Sequence, residues 1–598
     1  MNPVGTFMPL AAVFPNEPST FDAFKSKLRE LSLTDTLLWA ARLNLIVSNP
    51  QNADHRGKQQ YGINAFFSPE DTENINTFVA ENGGVDRITI FFRGQLLEVF
   101  RWASLLCRDK PDDGTTFNDP QIRRTFAQVL LMASDLWAKR VFGSRFSLEG
   151  GLKTARRRGL GAIRGAIAET TAGGDLLLAI GRGKALFSDY FPKFYPEFSE
   201  EFYLRTGLTL ENYYFCLSAI MTDFANCTPE KVSKEPKFSA LFDVNKLSST
   251  CSPEIQAIFS KYFLLESQTP DELHLGLWGH QDVTSVDERV QYEFKSLRQR
   301  PLLRTADGRA IILDPVFYSE RATVGPLFLL SEGVSTQTAN RIFGAFGEAF
   351  ERYARDIFQK MYPSPSSLLV KRFIYDLRGR DLTGHEIQIA DGCLNNVTDL
   401  ILFEMKAVWI RDTAILDEDP ERYLELLRDR YGIGKRGERS KGIAQLATAI
   451  ANLASGAWVA TGEDIEKAKT VYPVLLVHDT LLDTPVHSNF LSSEFKEVLN
   501  PDEIFQDASM RKGRFRILPL TVMTIQHLEN FETSIEHFQL VDLLRDYTFS
   551  CPDRIVSLQN FIAASPKHRN KMYYSRSVTS KSLEVLKETQ DRLFSNTS

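Results

Sequence analysis

The sequence has few cysteines and no cysteine spacing of the kind that builds a metal cluster. Six cysteines are scattered over 598 residues, and no CxxC pair occurs among them. This pattern argues against zinc clusters and a disulfide framework, and it indicates a reducing compartment. No uninterrupted apolar run reaches ~18 residues, so we expect no membrane span. The N-terminus lacks the basic segment of a signal peptide, and the sequence therefore predicts a cytoplasmic protein.

The sequence also lacks an excess of basic residues. Seventy Lys and Arg against 76 Asp and Glu give a formal net charge of −6 at pH 7. Any contact with nucleic acid must therefore come from local basic segments. No GxxxxGK[ST] motif occurs, and the nine histidines form no HxH or HxxxH pair. The sequence thus predicts no NTPase site, and energy-driven movement would require a partner protein such as an NTPase.

Hydrophobic periodicity separates a helical region from a region with strands. From residue 20 to about 275, apolar residues recur at three- and four-residue spacing, which predicts amphipathic helices. We therefore predict a mainly helical N-terminal region over 1–300, of one or two subdomains, with a recognition or regulatory role. GRG at 181–183 is predicted as a turn. RPLLRTADGRAIILDPVFY alternates like a hairpin with ADGR as its turn, which predicts a β-hairpin connector over 301–335.

The region that follows mixes helices and strands. A strong helix, STQTANRIFGAFGEAFERYARDIFQKMY, precedes three strand-like runs, SLLVKRFIYDL, HEIQIADGCL and DLILFEMKAVWI. Then come the helix SKGIAQLATAIANLASG, the strand VYPVLLVHD, the helix SNFLSSEFKEVLN and the strand RFRILPLTVMTI. The order α-β-β-β-α-β-α-β predicts a mixed sheet flanked by helices over 336–540, followed by a helical segment over 541–598. The predicted fold class is α+β or α/β.

The run DLILFEMKAVWI carries charges inside an apolar strand, where an isolated charge costs several kcal/mol. Strand alternation puts Glu404 and Lys406 on the same face. Asp399 projects to the opposite face and lies five residues away, on the order of 16 Å at ~3.3 Å per residue. Asp391 ends the preceding strand, and an Asn-Asn turn signal lets that strand fold back. We therefore expect Asp391 beside Glu404, with Asp399 at a turn or strand end.

This pattern of Asp391, a hairpin and then hydrophobic-hydrophobic-Glu404-x-Lys406 resembles the core of the PD-(D/E)xK nuclease superfamily, the restriction-endonuclease-like fold. The close resemblance covers residues 348–453. Alanine stands where the motif's proline precedes the aspartate. The resemblance implies a mixed sheet flanked by helices and hydrolysis of DNA phosphodiester bonds by a Mg²⁺-dependent (or Mn²⁺-dependent) endonuclease.

The two helices around the motif extend the resemblance. Members often carry a metal-site glutamate on the preceding helix, where Glu351 matches and Glu348 is the alternate. Glu351 falls in the sector of Gly344 and Gly347, where small residues favour close approach of another element. Many members place a glutamine on the following helix to orient the lysine or contact DNA, and Gln445 matches it.

The resemblance also implies roles for these residues. Asp391, Glu404 and Glu351 would hold the metal with the main-chain carbonyl of Met405, since hard oxygen ligands suit Mg²⁺ or Mn²⁺. Lys406 would orient or deprotonate the attacking water. A helical region joined to such a core is similar to bacterial anti-phage defence and restriction effectors. Two alternatives stay open: an RNase, and a non-catalytic nucleic-acid-binding or scaffold protein. The sequence determines neither the oligomeric state nor the cleavage specificity.

Three basic segments are candidates for contact with the nucleic-acid backbone. The loop GIGKRGERSKG leads into the Gln445 helix, and it is typical of a phosphate clamp and of a solvated loop alike. GGLKTARRRGLGAIRGAIAETTAGGD and MRKGRFRILPL are more typical of solvated surface. The predicted nucleic-acid-binding residues are Lys435, Arg436, Arg439 and Lys441, and the second cluster is Arg511, Lys512, Arg514 and Arg516.

Overall fold

The computed structural model has a mixed α+β fold, with helices first and a helix-flanked mixed sheet in the C-terminal part. No helix among its described residues is long and apolar enough to cross a membrane. The chain forms two compact units. The first comprises Met1–Lys184, Ser199–Glu332 and Lys581–Ser598, and the second comprises Ala185–Phe198 and Gly333–Ser580. The structure describes residues 6–48, 55–84, 88–108, 119–142, 176–225, 242–243, 251–279, 294–305, 308–363, 372–408, 420–432, 442–461, 464–499, 510–512, 515–554, 556–569, 571–572 and 574–594.

The first unit is built mainly from helices with two small sheets. Strands β1 (Thr6–Phe7) and β2 (Ile88–Thr89) pair in parallel. The other sheet has the order β3-β6-β5-β4, with β3 at Phe242–Asp243, β4 at Ser267–Gln268, β5 at Leu302–Arg304 and β6 at Arg309–Ile312. The helices are Leu10–Val13, Phe21–Glu30, Leu33–Ser48, His55–Phe66, Pro69–Glu81, Arg93–Leu106, Pro120–Phe142, Leu176–Ala185, Phe198–Thr206, Leu210–Ala225, Pro253–Glu266, Pro270–Trp278, Lys295–Gln299 and Pro315–Ser331.

The predicted hairpin connector is only partly a hairpin. Strands β5 and β6 pair antiparallel as expected. The alternation then ends, because the Asp314 carboxylate accepts a hydrogen bond from the Phe317 amide at 2.9 Å and caps a helix that begins at Pro315. Most of the stretch from 315 to 335 is therefore helical. The predicted C-terminal segment is divided as well, since residues up to Ser580 belong to the second unit and later ones to the first.

The GRG sequence at 181–183 is not a turn, as predicted, but part of the helix Leu176–Ala185. A Cβ at Gly183 would overlap the carbonyl oxygen of Ala322 on the helix Pro315–Ser331. The glycine is thus needed for the close approach of two helices. In a sequence, glycine is typical both of a turn and of a helix that packs closely against another element, and only the tertiary structure distinguishes the two.

The second unit contains an eight-stranded sheet, which is mixed, as predicted. The sheet runs β10-β7-β8-β9-β11-β13-β12, and β14 also pairs with β11. Strands β7 to β9 form an antiparallel meander, whereas β11 runs parallel to β9, β13 and β14. The strands are β7 (Arg372–Asp381), β8 (Glu386–Asn396), β9 (Asp399–Lys406), β10 (Trp458–Ala460), β11 (Thr470–Val477), β12 (Met510–Lys512), β13 (Phe515–Ile517) and β14 (Thr521–Thr524).

Helices flank this sheet. The helix Pro420–Tyr431 and the short strands β10 and β12 were not predicted, and the predicted strand RFRILPLTVMTI is divided around Pro519, which lacks an amide donor. A π-helical turn, Leu186–Tyr190, and a 3₁₀ turn, Phe191–Lys193, also belong to this unit. The helices are Thr336–Met361, Pro420–Tyr431, Ile443–Ser455, Pro485–Leu499, Ile525–Ser534, Leu540–Ser550, Leu558–Ala564, Pro566–Arg569 and Arg576–Phe594, the last of which continues into the first unit.

The helix Thr336–Met361, called the site helix below, is anchored to the meander by aromatic side chains. The Ser335 hydroxyl accepts a hydrogen bond from the Thr338 amide and so caps its start. The ring of Phe358 stacks on Phe373 of β7 with centroids 4.2 Å apart, and it contacts Phe403 of β9 at 4.7 Å. The apolar stripe of this helix is buried, and it comprises Ile342, Phe346, Phe350, Tyr353 and Ile357. This packing fixes the helix against the strands that carry the candidate motif.

Candidate active site

A tight hairpin sets the register between the two strands of the motif. Asn396 pairs with Asp399, which leaves a two-residue loop, and Val397 in that loop has φ of 63°. The Asn395 side chain accepts a hydrogen bond from the Val397 amide at 3.0 Å and supports the turn. The last pair of the ladder is Gly392 with Phe403. The next step of the same register opposes Asp391 to Glu404, as the sequence predicts.

Asp391 is buried at the point where β8 and β9 separate. Its Oδ2 accepts a hydrogen bond from the Met405 amide at 2.7 Å, and its Oδ1 accepts one from the Gln388 side chain at 3.1 Å. Burial raises the pKa of the Asp391 carboxyl, while the Lys406 ammonium and the Met405 amide counteract that rise. The carboxylate is therefore fixed by the backbone of the strand that carries Glu404.

Glu404 and Lys406 form an ion pair on one face of β9. Glu404 is 1 % exposed, and its Oε1 lies 2.7 Å from Lys406 Nζ. Its Oε2 is buried and accepts no hydrogen bond from any described residue. Burial, reinforced by the charge of Asp391, raises the pKa of Glu404 to about 7 despite the lysine. Burial disfavours the Lys406 ammonium, but Glu404 and Asp391 outweigh it, so the pKa of Lys406 lies above its ordinary value.

The site helix brings Glu351, rather than the alternate Glu348, toward this group. Glu351 is half-buried and Glu348 is exposed. Burial, followed by repulsion from Asp391, raises the pKa of Glu351 to about 7. The expected close approach at Gly344 and Gly347 is wrong, because a Cβ on either glycine would meet no atom within 4 Å. The helix packs through its aromatic stripe, and the glycine sector faces open space.

These carboxylates provide the donor set for a hard cation without forming a finished site. In the part of the chain that the structure describes, no three His, Cys, Asp or Glu side chains are already grouped around a metal position. The buried Glu404 Oε2 nevertheless has no donor, although buried polar atoms are normally satisfied. An oxygen in this state suits Mg²⁺ or Mn²⁺. Asp391 and Glu404 therefore fit such an ion, and Glu351 is the nearest candidate for a third ligand.

The remaining predicted residues are less closely tied to this group. Gln445 is half-buried on the helix Ile443–Ser455, which packs against β8 and β9, and no hydrogen bond joins it to a described residue. Arg516 is exposed on β13. The loop residues Lys435, Arg436, Arg439 and Lys441 lie outside the described residues, as do Arg514 and the side chains of Arg511 and Lys512.

Asp399 has a structural role at the start of β9. Its Oδ1 accepts a hydrogen bond from the Tyr472 hydroxyl at 3.3 Å, and its Oδ2 lies 3.5 Å from an Arg545 guanidinium nitrogen. The prediction that Asp399 is a strand-end residue, separate from Glu404, is confirmed. It is thus a natural control for Asp391.

Three residues near the carboxylates were not predicted from the sequence, namely Tyr375, Asp376 and Arg355. Asp376 has φ of 52° beside an irregularity in the β7–β8 register, and it forms an ion pair with Arg378 at 2.8 Å. Arg355, one turn after Glu351 on the site helix, lies over the Tyr375 ring. The four-residue spacing from Glu351 was the only available signal for Arg355. None was available for Asp376, because the strand irregularity that exposes it has no sequence signature here.

The group combines an open carboxylate oxygen, a second fixed carboxylate and a charged lysine within one strand pair. Such a set can bind a divalent cation and stabilise negative charge that develops nearby. Comparisons of the chain with family models, curated proteins and solved structures find no match. The chemical interpretation of the site therefore depends on the geometry of these residues.

Proposed function

We propose that this protein is a Mg²⁺-dependent endonuclease that hydrolyses DNA phosphodiester bonds. The observation that supports the proposal most is the buried Glu404 Oε2, near the fixed Asp391 carboxylate, for which no described residue provides a hydrogen-bond donor. A carboxylate buried for stability alone would be matched by donors, because an unsatisfied buried charge is strongly destabilising. A cation that completes the group removes this cost.

Asp391 and Glu404 would hold the cation, with Glu351 on the side of the site helix. Bound Mg²⁺ or Mn²⁺ supplies positive charge that polarises the phosphoryl group and makes the attacking water more acidic. The Met405 amide keeps the Asp391 carboxylate oriented toward β9. The carboxyls must be deprotonated to bind the cation, so binding strengthens up to about the pH at which Glu404 and Glu351 ionise.

Lys406 would act as an ammonium rather than as a base. Its raised pKa keeps the proton on Nζ at neutral pH, and the ion pair with Glu404 holds Nζ at the edge of the site. From there it can orient the water and stabilise charge on the phosphoryl oxygens. Glu351, near Asp391 on the site helix, would add a third carboxylate to the metal site.

The wider setting follows from the resemblance alone. A helical recognition or regulatory region joined to a nuclease core suits a bacterial defence or restriction effector in the cytoplasm, working alone or with a partner such as an NTPase. The chemistry of the site does not distinguish DNA from RNA. Both substrates therefore belong in the test.

The test compares Asp391→Asn with Asp399→Asn on plasmid DNA and on a long RNA, with Mg²⁺, Mn²⁺ or EDTA. We expect the wild type to cleave DNA only with metal. Asp391→Asn should lose at least about 10³-fold in rate, by the magnitude typical of a lost charge-stabilising group. Asp399→Asn should stay within a few-fold of the wild type.

Three outcomes would contradict the proposal. Cleavage in EDTA, or full activity of Asp391→Asn, would show that these carboxylates do not carry the reaction. Cleavage of RNA alone would make the protein an RNase. Binding of DNA by a wild type that cleaves neither substrate would favour the non-catalytic alternative.

A further inference from the structure

The Arg355 guanidinium lies near the candidate site and has no carboxylate partner among the residues that the structure describes. Its central carbon lies 4.4 Å from the centroid of the Tyr375 ring on β7. Its Nε is buried and has no hydrogen-bond partner, and no hydrogen bond or ion pair links Arg355 to any other described residue. Glu351 lies one helical turn earlier on the same helix, at a spacing that often allows an ion pair. No ion pair joins these two described residues, so Arg355 is not held by Glu351.

Other arginines on the site helix have acidic or hydroxyl partners. Arg352 lies 3.2 Å from Asp356, and Arg341 donates to the Tyr195 hydroxyl at 2.8 Å. The helix therefore offers a direct internal comparison. Arg341 also lies over a ring, that of Tyr195, but it has a hydrogen bond as well. Of these three arginines, only Arg355 lies over a ring with no hydrogen bond or ion pair to a described residue.

Stacking fixes a guanidinium while leaving its in-plane N–H groups available. That geometry is suited to bidentate binding of phosphate oxygens. Burial, followed by the charge of Glu351 and then of Asp391, raises the pKa of the Tyr375 hydroxyl. The tyrosine therefore keeps its proton and remains a neutral surface under the Arg355 guanidinium.

The carboxylates give the metal-free site a net negative charge, which a fixed arginine would partly offset. Glu351, Asp391 and Glu404 act on one another, and Lys406 is already paired with Glu404. The nearby Asp376 is paired with Arg378. A polyanion that approaches this group meets net negative charge, and backbone neutralisation by fixed arginines or lysines normally offsets such repulsion.

We propose that Arg355, held on the Tyr375 ring, binds a backbone phosphate of the DNA next to the scissile bond. It acts as a positioning residue that sets the strand against the carboxylate group. The inference depends on the proposed nuclease function. It adds a residue of the site helix that no part of the motif specifies.

The test measures binding of a short DNA duplex in EDTA, where no cleavage occurs, by fluorescence anisotropy over a range of salt concentrations. Arg355→Met should weaken binding about 5- to 50-fold and lower the slope of log Kd against log salt by about one. The matched control Arg352→Met removes an equal charge from the same helix and should change Kd less than about twofold. Arg355→Lys should keep the slope and lose part of the affinity.

Two further measurements separate positioning from damage to the fold. Tyr375→Phe preserves the ring and should bind DNA as the wild type does, whereas Tyr375→Leu removes the stacking surface and should weaken binding. Mn²⁺ affinity and thermal stability should be the same in Arg355→Met and the wild type. An Arg355→Met protein with wild-type Kd and salt slope overturns this inference alone, provided the wild type cleaves DNA. A wild type that neither binds nor cleaves DNA overturns it together with the proposed function.

Discussion

Two buried glutamates, one in each unit, differ in how their charge is satisfied. In the first unit, Arg321 donates to both oxygens of the buried Glu266, at 2.7 and 2.8 Å, and the Tyr213 hydroxyl adds a third bond at 2.9 Å. In the second unit, the equally buried Glu404 has one lysine and one oxygen without a donor. Both glutamates are almost fully removed from solvent. Only the first is satisfied by its surroundings.

A second pair in the first unit follows the same rule. Asp314 accepts from Arg93 at 2.7 and 3.0 Å, from the Asn44 amide at 3.0 Å and from the Phe317 amide at 2.9 Å. Every described partner fits the planar geometry of a carboxylate. Complete satisfaction indicates a structural role, whereas the open oxygen of Glu404 indicates a ligand.

The largest expected effect comes from Glu404→Gln. This variant tests the glutamate whose charge is only partly satisfied by described residues. The substitution removes the carboxylate that would hold the cation, so cleavage should fall by at least about 10³-fold. In the metal-free fold Lys406 pairs with only one oxygen of this carboxylate. Stability in EDTA should be unchanged or higher, because the neutral amide is less costly to bury. Rate assays and denaturant unfolding on the same preparation check both statements. A variant that loses stability and activity together would make Glu404 a structural residue like Glu266.

The next largest effect is expected from Arg321→Met. This variant tests Glu266, the glutamate whose two oxygens both accept hydrogen bonds. The substitution leaves Glu266 buried without its cation and should lower the free energy of unfolding by about 3–5 kcal/mol. Denaturant unfolding of the wild type and the variant measures this change in the free energy of unfolding. The double variant Arg321→Met/Glu266→Gln should recover part of the loss, because the unpaired charge is gone. If the double variant recovers none of the lost free energy of unfolding, then the loss in Arg321→Met comes from packing and not from the unpaired charge.

A smaller effect should separate the two glutamates of the site helix. Glu351→Gln removes the half-buried carboxylate near Asp391 and should lower the cleavage rate about 10- to 100-fold, by the magnitude typical of a residue that supports a metal site. Glu348→Gln alters an exposed residue on the same helix and should stay within about threefold. Equal effects in the two variants would remove Glu351 from the site.

The smallest expected effect is a pH dependence of stability in EDTA. The pKa of Glu404 in the folded protein is about 7, above its ordinary value of 4.5. Between these values the unfolded chain loses its proton while the folded protein keeps it, so this group's contribution to stability falls as pH rises. The stability advantage of Glu404→Gln over the wild type should therefore grow from pH 5 to pH 7.5 in thermal unfolding. An advantage that stays constant with pH would contradict the raised pKa.

Much of the second unit could be predicted from the sequence, because its signals are local. Alternation along β9 fixes the common face of Glu404 and Lys406, and the turn after β8 fixes the register that opposes Asp391 to Glu404. The same parity separates Asp399. The first unit was predicted only as helices and one hairpin, since its charged pairs join residues far apart, such as Glu266 and Arg321.

The sequence alone therefore determined the strand faces, the helix stripe and the identity of the central charges, because periodicity depends on neighbours along the chain. Tertiary structure decided which glutamate of the site helix turns toward Asp391, and it joined Arg355 to Tyr375 across two elements. It also decided that Glu404 keeps an oxygen without a donor while Glu266 does not. Satisfaction of a buried charge depends on what packs against it, and that is a property of the folded chain.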